Sequence, residues 1–295
     1  MSLFPVRGGL GFDGERHLHL NGRQRRLLHH AARRLDGLVD LVLARLEDEL
    51  RQLFALIHDQ SPLDIEAFRQ KAWPRVSTGD VMRATAFGAL EHALWDLAGQ
   101  LLGVPIYDLL GGAVRREFPL YANINRSVRD RVPAGFVQSA KAAWAEGYRH
   151  FKMAPFDGFP PLTDTAKVKA ALDNGVACLE AVRTALGVDA GLMVDCHSFF
   201  TVPMAIEIAH RLEPLKLGWY EEPVPPEKTA DTLAIKKGIK QPMAGGEFLF
   251  GVAGFNDLVQ SRAVDVIMPD VKHCGGLLEF TRIAAAAAAR GVAVS

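Results

Sequence analysis

Three things are scarce in this 295-residue chain, and each scarcity excludes a class of protein. Cysteine occurs only at Cys178, Cys196 and Cys274, an odd number with no CxxC pair, which argues against a disulfide framework and a zinc knot. Net charge is absent, with Lys+Arg and Asp+Glu both at 34, so no overall field points to nucleic acid or an anionic membrane. Long uninterrupted apolar runs are lacking as well. The opening "MSLFPVRGGLGFDGE" has no apolar core behind a basic tip, so it is not a signal peptide. The Ala-rich "TRIAAAAAARGVAVS" is broken by Arg282 and Arg290 and does not read as a membrane span. No GxGxxG follows a first strand, which removes support for a dinucleotide fold. A soluble cytoplasmic protein is the expectation, and 49% hydrophobic residues suffice for a sizeable core.

What the chain does have is rhythm. Residues 21–59 carry Leu, Ala and Val at helical spacing with Arg, Asp and Glu between them, predicting one or two amphipathic helices with a basic first half. A solvated face on a packing helix is preferred there to a nucleic-acid arm. "DVMRATAFGALEHALWDLAGQLLG" predicts a further helix, with Ser77 or Thr78 as candidate cap and a stop at Gly103 and Pro105.

From about Phe118 short apolar runs alternate with helical segments. The strand candidates are "PLYANI", "HFKMAPF", "GLMVDCH", "LGWYEEP", "PMAGGEF", "VDVIMPD" and "GVAVS". Apolar strands joined by amphipathic helices predict a parallel sheet covered on both faces. Seven in unbroken alternation favour a TIM-type (β/α) barrel over an open doubly wound sheet.

Acids stand at the ends of four successive strands: Asp195, Glu221, Glu247 and Asp270, each about one βα unit after the last. Strand C-termini meet at one face of such a barrel, so these carboxylates are expected in one small space. Clustered like charges repel unless protonated or bound to a cation, and oxygen donors without Cys or His suit a hard ion, Mg²⁺ foremost. The plainer alternative is that each acid caps the helix after it, with Glu222 a solvated neighbour. Lys152 lies inward on the second strand with His150 and Ala154, where it must meet acids or an anion. A purely structural counter-ion to Asp195 is the alternative role. His197 follows Asp195 by two residues, and Cys196 between them is expected to point into packing.

"ALEHALWDLAGQLLGVPIYDLLGG", Lys152, Asp195, "YEEP", "GGE" and "PDVKHCGG" together resemble, in order and spacing, the enolase superfamily, and within it the mandelate racemase-like group (mandelate racemase/muconate lactonizing enzyme family). The resemblance covers residues 57–295. It implies a modified TIM barrel, residues 116–295 with strands 1–7, and a partial, mostly helical N-terminal capping region, residues 1–115, whose first 55 residues are atypical. It implies Mg²⁺ held by Asp195, Glu221 and Glu247, abstraction of the proton alpha to a substrate carboxylate, and an enediolate stabilised by the metal, the general pattern of that superfamily. A third ligand in "GGE" and Asp at position 270 favour the mandelate racemase-like group over the muconate lactonizing one. There, Asp270 would hold a His from the next strand.

Two departures shape the expected reaction. The group's Lys-x-Lys on the second strand is Lys152 and Ala154 here, so the second lysine is absent and His197 is the candidate replacement acid; a substrate-contacting His is the alternative. The partner His would follow the seventh strand, where this chain stops at Ser295, so the barrel is expected to be incomplete at its C-terminal end. The leading expectation is a lyase that dehydrates a sugar acid or related hydroxy acid, with Lys152, His197 and Asp270 in the catalytic set. A racemase or epimerase, or a truncated non-catalytic homologue, is the runner-up. The resemblance also implies a homo-oligomer.

Overall fold

The computed structural model describes residues 42–295, which fall into two compact units divided between Asp48 and Glu49. The described part of the first unit, residues 42–48, is helical, and the rest of the expected amphipathic segment before it lies outside the described residues. The second unit, Glu49–Ser295, carries the barrel strands and the site.

That unit opens with residues 49–54 in helix (α1), then α2 (Ile65–Val76), α3 (Val81–Leu102) and the short α4 (Ile106–Leu109). Asp80, and not Ser77 or Thr78, caps α3: its carboxylate accepts from the backbone N–H groups of Met82 and Arg83. Asp80 stands immediately before the helix, where a short side chain reaches the first free N–H groups; Ser77 and Thr78 stand too far back. Gly103 ends α3 in the left-handed conformation, as its position predicts.

Seven parallel strands follow, each hydrogen-bonded to the next in chain order: β1 (Ala122–Asn123), β2 (His150–Met153), β3 (Gly191–Asp195), β4 (Tyr220–Glu221), β5 (Met243–Gly245), β6 (Val266–Ile267) and β7 (Ala293–Val294). The helices between them are α5 (Pro133–Ala145), α6 (Thr165–Leu186), α7 (Val202–Leu212), α8 (Thr229–Gly238), α9 (Gly251–Ser261) and α10 (Gly276–Ala288). All seven expected strands form, and helices alternate with them as expected. Their shared core runs from Phe136, Phe151 and Leu179 through Ile208 and Tyr220 to Phe255 and Ile283. Tyr220, fully buried, donates its phenol proton to the Ala205 carbonyl. β1 and β7 are the two ends of the sheet among the described residues.

Two buried carboxylates tie the α2–α3 pair to the barrel helices. Glu91 of α3 accepts from the N–H groups of Leu277 and Leu278 at the start of α10, at 2.8 and 2.9 Å, and from the Trp95 indole at 2.8 Å. Glu279 accepts from Val252 at the start of α9 and pairs with Arg69 of α2 at 2.8 Å. Each places a negative charge at a helix N-terminus, where free N–H groups and the helix dipole favour it.

Candidate active site

The pairing register sets the first half of the site. Asp195 and Glu221 are partners across β3 and β4, so their carboxylates emerge side by side at the same end of the sheet. Lys152 is paired with Met193, two residues earlier on β3, and its four-carbon stem carries the ammonium forward to the acids. Lys152 Nζ lies 3.1 Å from Asp195 Oδ2 and 2.6 Å from Glu221 Oε1. All three side chains are buried. The other Glu221 oxygen accepts from the Trp219 indole N–H at 2.8 Å, and Tyr121 packs edge-on against that indole.

One ammonium faces two carboxylates here, and the charges respond accordingly. Burial, then the charge of Asp195, pushes the Glu221 carboxyl up to about 8. Burial acts to raise Asp195 too, but the hydrogen bond from His197 and the charge of Lys152 outweigh it and hold Asp195 well below the usual carboxylate range. For Lys152, burial alone would favour the neutral amine, yet Glu221 and Asp195 keep the ammonium strongly favoured.

The loops beyond the strands add the rest. Glu247, half-buried after β5, is raised by burial and by the charge of Asp195, so it shares the group's negative field. Glu222 is buried, not solvated: it accepts from the Gly246 N–H at 2.9 Å and the Ser198 hydroxyl at 3.2 Å, and burial lifts it to about 6. It ties the β3, β4 and β5 loops together. Asp270, after β6, is engaged by Lys272 through the backbone N–H at 2.9 Å and the ammonium at 3.2 Å. His273 Nε2 lies 4.0 Å from Asp270, and His273 Nδ1 lies 2.9 Å from Thr85 Oγ1. That hydroxyl gives its only proton to the Val81 carbonyl, so the imidazole is the donor to Thr85.

His197 reaches the group by a route that strand alternation does not describe. β3 ends at Asp195, and His197 and Ser198 both turn into the left-handed region, with φ of 44° and 59°. The turn brings His197 Nε2 to 3.3 Å from Asp195 Oδ2, while Nδ1 bonds Asp157 Oδ1. Those two contacts, the one to Asp157 foremost, push the imidazole up to about 10. Cys196 packs into the core as its place between the two predicts. Asp157, in the loop after β2, escaped sequence reading because an Asp followed by Gly158 reads as a turn; nothing local marks it as a partner of residue 197.

The donor set suits a hard cation: carboxylates only, with Asp195 and Glu221 buried and Glu247 half-buried. In the present arrangement Lys152 takes the position between the first two. Among the described residues no three Asp, Glu, His or Cys side chains close into a cage.

This half-barrel with carboxylates at its strand ends defines a class, and comparison with known proteins names it. The chain matches the family "Enolase C-terminal domain-like" over residues 135–295 and the "Mandelate racemase / muconate lactonizing enzyme, N-terminal domain" over residues 39–111. It belongs to the enolase superfamily, in the mandelate racemase-like group. It is 33% identical over 217 residues to a D-galactonate dehydratase of Ralstonia pickettii, covering 74% of this chain and 55% of that protein. It is 31% identical to a D-gluconate/D-galactonate dehydratase of Picrophilus torridus, covering 81% and 61%. A crystal structure of an enolase-superfamily member from Salmonella Typhimurium superposes with a TM-score of 0.75 at 27% identity, covering 84% of this chain and 67% of that one. The chain thus spans little more than half the length of the first of these relatives. No described helix is long and apolar enough to cross a membrane.

Proposed function

We propose that this chain carries the metal-binding half of an acid-sugar dehydratase site, a lyase acting on a sugar acid or related hydroxy acid. The observation that supports it most is the Lys152–Asp195–Glu221 group with His197 against Asp195, all at the C-terminal ends of parallel strands. Under this reading Asp195, Glu221 and Glu247 are the Mg²⁺ ligands, residues 116–295 form the barrel and residues 1–115 the cap. The bound Mg²⁺ would supply electrostatic stabilisation to the negative charge that develops on the substrate carboxylate.

The residues present would share the remaining work. Lys152 would hold Asp195 ionised and, through its contact with Glu221, offset part of the cost of charging that second carboxyl. Asp270 would orient the base that takes the proton alpha to the carboxylate, the His expected to follow the seventh strand. As the neighbouring C–O bond breaks, His197 donates a proton to the departing hydroxyl, which leaves as water, and the enol left behind becomes a 2-keto acid. Racemisation needs an acid/base on each face of the carbon, and Ala154, where a lysine would stand, disfavours it. The relatives' names, D-galactonate and D-gluconate/D-galactonate dehydratase, support a sugar-acid substrate. A cytoplasmic homo-oligomer belongs to the same proposal.

The test combines ¹H NMR of alpha-proton exchange in D₂O, with and without Mg²⁺, over a panel of sugar acids, and calorimetric Mg²⁺ titration. Mg²⁺-dependent exchange and keto-acid formation are expected, with Mg²⁺ affinity lowered at least tenfold in Asp195→Asn. No exchange and no turnover with any acid would overturn the dehydratase reading, and unchanged affinity in Asp195→Asn would overturn the ligand assignment.

A further inference from the structure

His197 is held in a costly conformation. Two successive non-glycine residues in the left-handed region are strained, and they persist only where surrounding contacts over-determine them. The backbone contacts are clear: the His197 N–H donates to Asp195 Oδ1 at 3.1 Å, and the Ser198 N–H donates to the Glu222 carbonyl at 2.7 Å. They fix the turn but leave the imidazole free to rotate. The ring is held by Asp157, whose Oδ1 meets Nδ1, and with that contact made Nε2 lies 3.3 Å from Asp195 Oδ2.

Asp157 is itself immobilised from a different part of the chain. Its Oδ2 accepts from Asn125 Nδ2 at 2.9 Å and Arg131 Nη2 at 3.0 Å, both from the segment between β1 and α5. Arg131 also donates to Asn125 Oδ1 and to the Ala154 carbonyl, and its own carbonyl accepts from Asn174 Nδ2 of α6 at 2.9 Å. The network therefore also reaches the backbone of Ala154. Asn125 and Arg131 both offer Asp157 a proton. An ionised carboxylate only accepts, so Nδ1 carries its proton toward Asp157 and Nε2 is the nitrogen turned to the Asp195 side.

We propose that Asp157 is the positioning residue for His197: it aims the imidazole so that Nε2, and not Nδ1, faces the space beside Asp195. This rests on the dehydratase reading for its consequence, since His197 is the proposed acid there, but not for its geometry. Carboxylates that orient a functional imidazole through its other nitrogen commonly matter by about 10–100-fold when removed.

Asp157→Asn is the sharpest variant. It preserves volume, yet its NH₂ must face a donor: Arg131, Asn125 or His197. The full-length chain with ¹⁵N-histidine is observed by long-range ¹H–¹⁵N NMR, with His197→Gln identifying the signal of residue 197. The wild type is expected to show Nδ1 protonated and strongly hydrogen-bonded, and Asp157→Asn to shift or broaden that signal. With the sugar acid the wild type turns over, kcat is expected to fall at least tenfold and KM to stay within about twofold. Asp157→Ala should do the same, and the thermal midpoint of each variant separates loss of positioning from loss of fold. An unmoved His197 signal in both variants would overturn the proposal, as would a moved signal with kcat intact. Should the wild type turn over no acid, the dehydratase reading fails, and the NMR arm alone decides whether Asp157 sets the His197 ring.

Discussion

Asp195 and Glu221 are register partners on adjacent parallel strands, with their carboxylates joined through the single ammonium of Lys152. Two buried acids on neighbouring strands would repel; one cation between them makes the arrangement stable.

Replacing that cation tests the relationship. Lys152→Met keeps a long unbranched stem and deletes the charge, leaving two buried carboxylates without their partner. Breaking a buried ion pair from one side costs about 3–5 kcal/mol. Urea unfolding in the presence of a chelator is expected to show a loss of that size.

Glu91 is expected to be a second point of failure. Its carboxylate is buried and serves the Leu277, Leu278 and Trp95 donors together. Glu91→Ala strands all three and should cost about 3 kcal/mol or more, at about 1–3 kcal/mol for each buried group left unpaired. Glu91→Gln retains one acceptor oxygen and should cost visibly less in the same unfolding measurement.

Acid should weaken the fold partly through Glu49. Burial acts to raise its carboxyl, but hydrogen bonds from Arg83 and Arg75 and their charges outweigh it and hold Glu49 below its ordinary 4.5. A lowered folded-state value means the unfolded chain binds the proton more readily. The stabilisation is therefore present above pH 4.5 and is lost as the pH falls through the lowered value. The urea midpoint of Glu49→Gln should start lower at neutral pH and fall less steeply with acid than that of the wild type.

The same substitution at two helical glycines should have opposite signs. A Cβ at Gly175 of α6 would stand 2.1 Å from Phe156 Cε1, and Phe156 is itself wedged edge-on against Phe200. Gly175→Ala should cost about 1–3 kcal/mol by overpacking. Phe156 adjoins Asp157, so the His197 NMR signal should shift as well. At Gly254 of α9 the nearest atom would lie at 3.7 Å, and Gly254→Ala should stabilise by about 0.5–1 kcal/mol through helix propensity.

Strand and helix order was legible because hydrophobic period changes along the chain, and parallel strands buried on both faces leave continuous apolar runs. The acids at strand ends were legible for a related reason: a charge that closes an apolar run can only emerge at the sheet's edge. Lys152 followed from alternation within β2. The cap at Asp80 was misplaced by two or three residues, since several short polar side chains in a row compete for one helix start and only geometry selects among them.

Sequence by itself determined which elements form, their order, and that carboxylates gather where strands end, because local periodicity and chain spacing dictate these. Tertiary structure alone decided how the charges are matched: Lys152 between two acids, Glu222 drawn inward by Gly246 and Ser198, and His197 turned out of its strand onto Asp157. Those partners lie 24 to 69 residues apart in the chain. A hydrogen bond between them depends on angles set by turns and packing, which no local pattern encodes.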